Sequence, residues 1–451
     1  MPFLPDLIVR SRRVVAPGAT RPASIHIHNG KIVGVLPFDD VPEGCPIDDA
    51  GDAAVMPGIV DTHVHVSERG HGSWDGFEAA TRAAAAGGTT TLVDMPMNSG
   101  PAATTAEAIG AKRHAANGTC YVDVGLWGGV VAGNERELAP MLQAGILGFT
   151  CALMSSSSND FAAVSEPDLR VAMPAIARLG VPLLVHAELA GPIEAALARQ
   201  RAADGFLARL LHARGSRRNY RRYLESHPKD AENEALAQMI ARCREFGTRT
   251  HIVHLSSSDA LTPLFHARSA RLPITAETCP HYLWFVADEI ADATAFTCAP
   301  PIRERENREL LWAALAGGLI QMVASDHSPA PPGIPSLQLS LSIMWTGSRA
   351  RGYTLAQIAE WMCRSPARLA GLTRKGVIDV GFDADLVVFE PDATWTVEPR
   401  VLEPDHAVTP YRGLQLFGVV ERTYLRGMRV YERGCPFDAP RGRIIAREPY
   451  G

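Results

Sequence analysis

The stretch Pro57-Gly58-Ile59-Val60-Asp61-Thr62-His63-Val64-His65 decides the reading of this chain. Apolar residues run straight into a His-x-His pair. On a β-strand, residues two apart point to the same face. His63 and His65 therefore present two imidazoles side by side, which suits nitrogen ligation of a divalent metal. A lone His-x-His is a weak signal, and two core histidines would look the same. The weight comes from repetition. Apolar strands end in possible ligands again at Val181-Pro182-Leu183-Leu184-Val185-His186-Ala187-Glu188, at His251-Ile252-Val253-His254 and at Met322-Val323-Ala324-Ser325-Asp326-His327.

Around these segments, residues 57–372 alternate strands with helices. Thr89 to Asp94, Tyr121 to Leu126, Leu147 to Ala152, Ile274 to Glu277 and Ile320 to Ser325 are predicted strands. Ala106 to Ala116 is a predicted helix, and Trp74 to Ala86 is another that ends at Gly87-Gly88. Such alternation implies a parallel sheet. Its length fits a distorted eight-stranded (β/α)8 barrel, where polar residues at the C-terminal strand ends are the catalytic candidates. The two ends of the chain differ in character. Asn29-Gly30 sits between alternating strands, a strong hairpin signal, and Arg422 to Tyr431 reads as a second hairpin. The fold class is thus α/β: a barrel over 57–372, with residues 1–56 and 373–451 together building one small β-sandwich domain.

Composition removes several classes. A net charge of −5 gives no basic footprint for nucleic acid. No apolar run reaches membrane-spanning length. Met1 to Arg13 lacks the basic and apolar segments of a signal peptide. The cysteines are scattered without a CxxC pair, which reads as reduced thiols of a cytoplasmic protein.

The motifs resemble those of the amidohydrolase superfamily, in its cyclic-amide branch of allantoinases, dihydroorotases and hydantoinases. The resemblance spans nearly the whole chain. It rests on Pro57-Gly58-x-x-Asp61-x-His63-x-His65, Gly87-Gly88-Thr89-Thr90-Thr91, Met95-Pro96-x-Asn98, Val185-His186-Ala187-Glu188 and His254-Leu255-Ser256-Ser257. It continues through Glu277-Thr278-Cys279-Pro280-His281-Tyr282, Ala299-Pro300-Pro301-Ile302-Arg303, Ser325-Asp326-His327-Ser328-Pro329 and Gly381-x-x-Ala384-Asp385. The wording around His281 and Asp326 is most similar to the allantoinase group. The resemblance implies a hydrolase that opens a cyclic amide or ureide, with His63, His65, His186, His254 and Asp326 as metal ligands. It implies zinc as the cofactor, Asn98 and His281 as substrate contacts, and a homo-oligomer, dimer or tetramer.

Two positions depart from the family pattern. The family carries a carboxylated lysine in a Gly-Phe-Lys stretch on the fourth strand, where it bridges two metals. This chain reads Gly148-Phe149-Thr150, and its only lysines are Lys31, Lys112, Lys229 and Lys375. Thr150 is neutral and too short to reproduce the bridge. The second departure is Pro331 to Gln338, which looks like the family's substrate loop with its middle removed. One zinc ion rather than two is therefore expected, since three or four protein ligands with an open position suffice. Cys151 is one residue off and faces the other side of a regular strand. A silent relative would show drift among the other ligands, and none is visible.

Bland roles also exist. Glu188 and Glu277 fit as carboxylate partners of histidines rather than ligands. His251 stands three residues from His254, faces away from it and reads as structural. Arg303 reads as a structural ion pair. His281 is equally readable as a substrate contact or as core. The mechanism expected from the resemblance uses a water acidified by zinc. Asp326 would take its proton and return it to the leaving nitrogen. Backbone groups or His281 would meet the developing negative charge. Alternatives are an enzyme of a specialised pathway acting on an unusual cyclic amide or running ring closure, and a catalytically silent relative.

Overall fold

The computed structural model describes residues 4–66, 76–97, 100–154, 161–203, 220–329, 332–403 and 409–447. Five strands precede the barrel: β1 (Leu7–Ala16), β2 (Ala19–His28), β3 (Lys31–Leu36), β4 (Ile47–Asp49) and β5 (Ala54–Pro57). Asn29 and Gly30 turn β2 into β3 with φ of 50° and 75°. A two-residue hairpin of this hand needs both values positive, which is why Asn-Gly is the favoured pair.

The barrel strands are β6 (Ile59–Val64), β7 (Thr89–Asp94), β8 (Asp123–Leu126), β9 (Gly128–Gly129), β10 (Phe149–Ala152), β11 (Leu183–His186), β12 (Thr250–Ile252), β13 (Ile274–Thr278) and β14 (Met322–Val323). All pair in parallel, in two runs: β6-β7-β8 and β9-β10-β11-β12-β13-β14. Only Trp127 separates β8 from β9, so they are one staggered barrel strand. A parallel bridge between Val64 and His327 joins the last strand's extension to the first and closes the ring. Several predicted strands are shorter than expected. The segment read as Ile320 to Ser325 keeps only Met322–Val323 in the ladder. The next residues turn to make the site, and Asp326 has φ of 48°.

Three strands follow: β15 (Leu386–Thr396), β16 (Gln415–Leu425) and β17 (Met428–Glu432). They join the N-terminal strands in one sheet of order β17-β16-β15-β5-β1-β2-β3, with β4 beside β1. Both ends of the chain thus build one β-domain. Its interior collects Val9, Ile25 and Ile27 from one end of the chain and Leu386, Val388 and Tyr424 from the other. Gly58 alone links β5 to β6. A Cβ there would lie 2.1 Å from the Thr90 hydroxyl oxygen, so only glycine lets the strands change domain at this spacing.

A buried ionic cluster fastens the two domains. The Lys375 ammonium meets Asp123 at 2.9 Å and Asp385 at 2.5 Å. Arg426 pairs with the same Asp123 carboxylate at 2.5 Å. Asp123 opens β8 of the barrel; Arg426 lies in the β16–β17 turn. Among the described residues, no helix is long and apolar enough to cross a membrane.

Candidate metal centre

Several barrel strands deliver polar residues at or just past their C-terminal ends, at one mouth. His63 lies in β6 and His65 just past it; Asp94 ends β7 and His186 ends β11. His254 follows β12 by two residues with φ of 40°, and Asp326 follows β14. Left-handed backbone is costly for residues other than glycine, and such strain clusters at functional sites. Here both strained positions carry site side chains.

His63, His65 and Asp326 each offer a ligand atom within 4.8 Å of the others. The two Nε2 atoms converge on one Asp326 oxygen, at 3.2 Å from His63 and 3.4 Å from His65. The opposite nitrogen of His63, Nδ1, lies 2.6 Å from Glu277 Oε1. His251 Nε2 lies 3.1 Å from the other Glu277 oxygen. Burial works against the Glu277 charge, but the bonds from His251 and His63 outweigh it and hold its carboxyl down to about 2. An ionised carboxylate only accepts. His63 therefore donates from Nδ1, which fixes its tautomer and turns the Nε2 lone pair toward Asp326. This is the carboxylate–histidine arrangement that orients metal ligands. Burial likewise opposes the charge on Asp326, and the His63 imidazole together with His65 holds its carboxyl well below the usual range.

Two imidazole nitrogens and one carboxylate oxygen, convergent, with His63 held by Glu277, fit a divalent ion. The other two predicted ligands are placed differently. His186 Nδ1 and His254 Nε2 share a hydrogen bond of 2.9 Å. The His254 and His63 rings lie 5.4 Å apart, so the pair flanks the three-residue group. His186 Nε2 also lies 3.2 Å from Glu188.

His281 is completely buried, and neither ring nitrogen has a hydrogen-bond partner among the described residues. Burial pushes its pKa down to about 4. Its ligand atom lies within 4.8 Å of those of Cys279 and Asp326, so the structure puts it beside Asp326. Arg303 pairs with Glu232 at 3.3 Å and has the structural role expected. Asn98 lies outside the described residues.

Thr150 is buried in β10, opposite Leu184 and Gly129. Leu184 packs inside the barrel with Val93, Trp127 and Val253. Phe149, Cys151 and Val185 pack in the outer cluster under the helices. Thr150 therefore shares the inner face and Cys151 the outer one, in an unbroken register. Burial pushes the Cys151 thiol up to about 12, so it is no thiolate at neutral pH. Lys112 does come to this end of the barrel. Its ammonium is buried on Asp94 at 2.6 Å and on the Met95 carbonyl at 2.9 Å, anchored from the helix Ala106–Ala116.

Two residues, Asp61 and His327, were given no role by the sequence. Asp61 accepts from the amides of His63 and Ser325, at 3.2 and 3.1 Å, and so ties the first strand to the last. Burial raises its carboxyl to about 6. His327 Nδ1 accepts from the amides of Ser336 and Leu337 and pins the short loop. His251, read as facing away from His254, stands in register with the inward-facing Leu184 and reaches Glu277, the partner of His63. Parity was a signal for Asp61, which shares a strand face with His63 and His65.

Glu277→Gln removes the charge on which both histidines converge. Metal affinity should fall about 10–100-fold, measured by competition with a chelator; an unchanged affinity would show that His63 needs no such partner.

A family model described as amidohydrolase family matches residues 54–430. An allantoinase of Streptomyces avermitilis is 44% identical over 98% of this chain and 99% of its own length. An allantoinase of Arabidopsis thaliana is 37% identical over 94% of this chain and 88% of its own. Among solved structures, an L-hydantoinase (dihydropyrimidinase) from Arthrobacter aurescens superposes with a TM-score of 0.90 at 30% identity, over 98% of this chain and all of that one. The motifs, the closed barrel and these full-length matches agree: the chain belongs to the amidohydrolase family.

Proposed function

We propose that this protein is a metal-dependent hydrolase that opens a cyclic amide or ureide at one zinc ion held by His63, His65 and Asp326, with His186 assisting. The observation that carries this reading is the convergence of His63 Nε2 and His65 Nε2 on one Asp326 oxygen. The likeness to allantoinases and a hydantoinase supports the C–N bond of a small cyclic amide as the target.

When bound, the ion acidifies a water and polarises a carbonyl. The chain's own residues do the rest. Asp326 accepts the water's proton at a carboxylate oxygen and delivers it to the ring nitrogen as the C–N bond breaks. Its lowered pKa keeps it ionised at neutral pH. Glu277 holds His63 in the ligating tautomer. His281 stays neutral, with ring nitrogens that no described residue occupies, and donates one N–H to the oxygen on which charge develops. His254, turned by its left-handed backbone, orients the water or the substrate. Thr150 supplies no bridging group on the inner face of β10. His186 and His254 are engaged with each other, which favours one ion over two.

The changed residue at 150 and the short loop after Asp326 point to a ring other than allantoin as the preferred substrate. Wild type and Thr150→Lys should be assayed against allantoin, dihydroorotate and hydantoin, with and without bicarbonate. Wild type should be slow on allantoin and indifferent to bicarbonate. Thr150→Lys should gain metal and some activity with bicarbonate, without full allantoin turnover, because the loop stays short. Wild-type allantoin hydrolysis at about 10 s⁻¹ or faster, or two tightly held metals per chain by elemental analysis, would overturn this reading.

A further inference from the structure

We propose that the opposite mouth of the barrel holds a binding site for a small oxyanion of two or more negative charges, wired to the metal centre. A cavity of about 300 Å³ opens at the N-terminal ends of β11 to β14, a size suited to a small ligand. Arg249, Arg268 and Arg368 line it, with His251 and Thr275 beneath them. Among the described residues that line it, none is acidic. Arg249 donates only to the Gly180 carbonyl, at 3.5 Å. The Arg368 side chain makes no hydrogen bond or ion pair among the described residues. Arg268 spends part of its guanidinium on the Leu319 carbonyl at 2.9 Å. Three arginines lining one space without a carboxylate among its described lining residues call for an anion. Their planar donor forks match carboxylate or phosphate oxygens. A single negative charge would leave most of this positive charge unmatched.

The floor of the cavity leads to the ligands. Thr275 Oγ1 lies 2.8 Å from His251 Nδ1, His251 Nε2 lies 3.1 Å from Glu277, and Glu277 holds His63 at 2.6 Å. His251 donates to the Glu277 carboxylate from Nε2, so in its neutral form Nδ1 is the acceptor and Thr275 supplies the hydroxyl hydrogen. That hydroxyl has one hydrogen. An anion above it competes for the same donor, and the change passes through His251 and Glu277 to His63. Partners of metal-bound histidines alter metal affinity when they change. This coupling rests on the metal reading above; the anion site does not.

The test uses the full chain with phosphate, malonate and, at matched ionic strength, chloride. Phosphate or malonate should raise the thermal midpoint saturably and chloride should not; the anion with the lower half-saturation identifies the oxyanion class. The R249A/R368A double variant should lose the effect. In a chelator titration, the saturating anion should shift metal retention threefold or more in wild type, but not in Thr275→Val. No saturable shift with either oxyanion, or a shift that survives R249A/R368A, overturns the site. Equal metal retention with and without anion overturns the wire. A chain that holds no metal would sink the metal reading, while the thermal measurement would still decide the anion site.

Discussion

Replacing His63 by alanine is expected to strip the protein of its metal and to abolish ring opening. His63 is the candidate ligand held from both sides, by Asp326 at Nε2 and by Glu277 at Nδ1. Without it, two of the three convergent donors remain, too few to hold zinc tightly. Lost metal assistance of several kcal/mol corresponds to a fall in rate of about a thousandfold or more. Elemental analysis and a turnover assay read the two effects. The fold should survive, because His251 still holds Glu277, and circular dichroism checks that. Metal retained at wild-type stoichiometry would place the ion elsewhere. A pH signature accompanies this site. In the metal-free chain burial opposes the His63 charge, but Asp326 and Glu277 outweigh it and raise His63 to about 9. Metal must displace that proton. Affinity should therefore rise about tenfold per pH unit up to about pH 9, with proton release on binding. The sign for stability runs the other way. Without metal, the raised value contributes stability that is complete below about pH 6.5 and lost as pH rises through about 9.

Lys375→Met should be strongly destabilising. The Lys375 ammonium is buried between Asp123 and Asp385. Burial opposes its charge, yet the two carboxylates raise its pKa above the usual lysine value. Removing it leaves two buried carboxylates with Arg426 to share. Breaking a buried ion pair by deleting one partner costs about 3–5 kcal/mol. Urea unfolding should show that loss, and a change under about 1 kcal/mol would mean that the cluster is no fastening. The lysine's contribution is complete at neutral pH, since a raised lysine loses its stabilising effect only as pH climbs through its folded pKa. Asp123 behaves in the opposite sense. Burial opposes its charge, but Lys375 and Arg426 hold it below its ordinary value. Its stabilisation is lost as pH falls through that lowered value.

What could be read from residues alone follows from local geometry. The period of two along a strand set His63 beside His65. An apolar run ending in histidine located β11. The Asn29-Gly30 hairpin needed only backbone sterics. Thr89 to Asp94 and Ala106 to Ala116 were legible as elements because their flanks carry turn residues. The illegible parts depend on tertiary closure. Asp61 meets Ser325 across 264 residues. Glu277 stands between His63 and His251 only once the barrel is formed. The shortness of β14 and the left-handed backbone at His254 and Asp326 also escaped, because propensity favours continuing a strand there. His186 and His254 looked like two separate donors in the sequence; the structure bonds them to each other.

The closure of the ring by one bridge, Val64 to His327, has a consequence for biosynthesis. The three convergent side chains sit on both sides of that seam: His63 and His65 on the segment made early, Asp326 on the segment made late. A nascent or truncated chain ending before Asp326 lacks one side of the seam and cannot assemble the set. Contacts of such long sequence separation form slowly. On the metal reading proposed above, an ion held by these side chains would clasp the seam, and only a chain that extends past Asp326 could take it up.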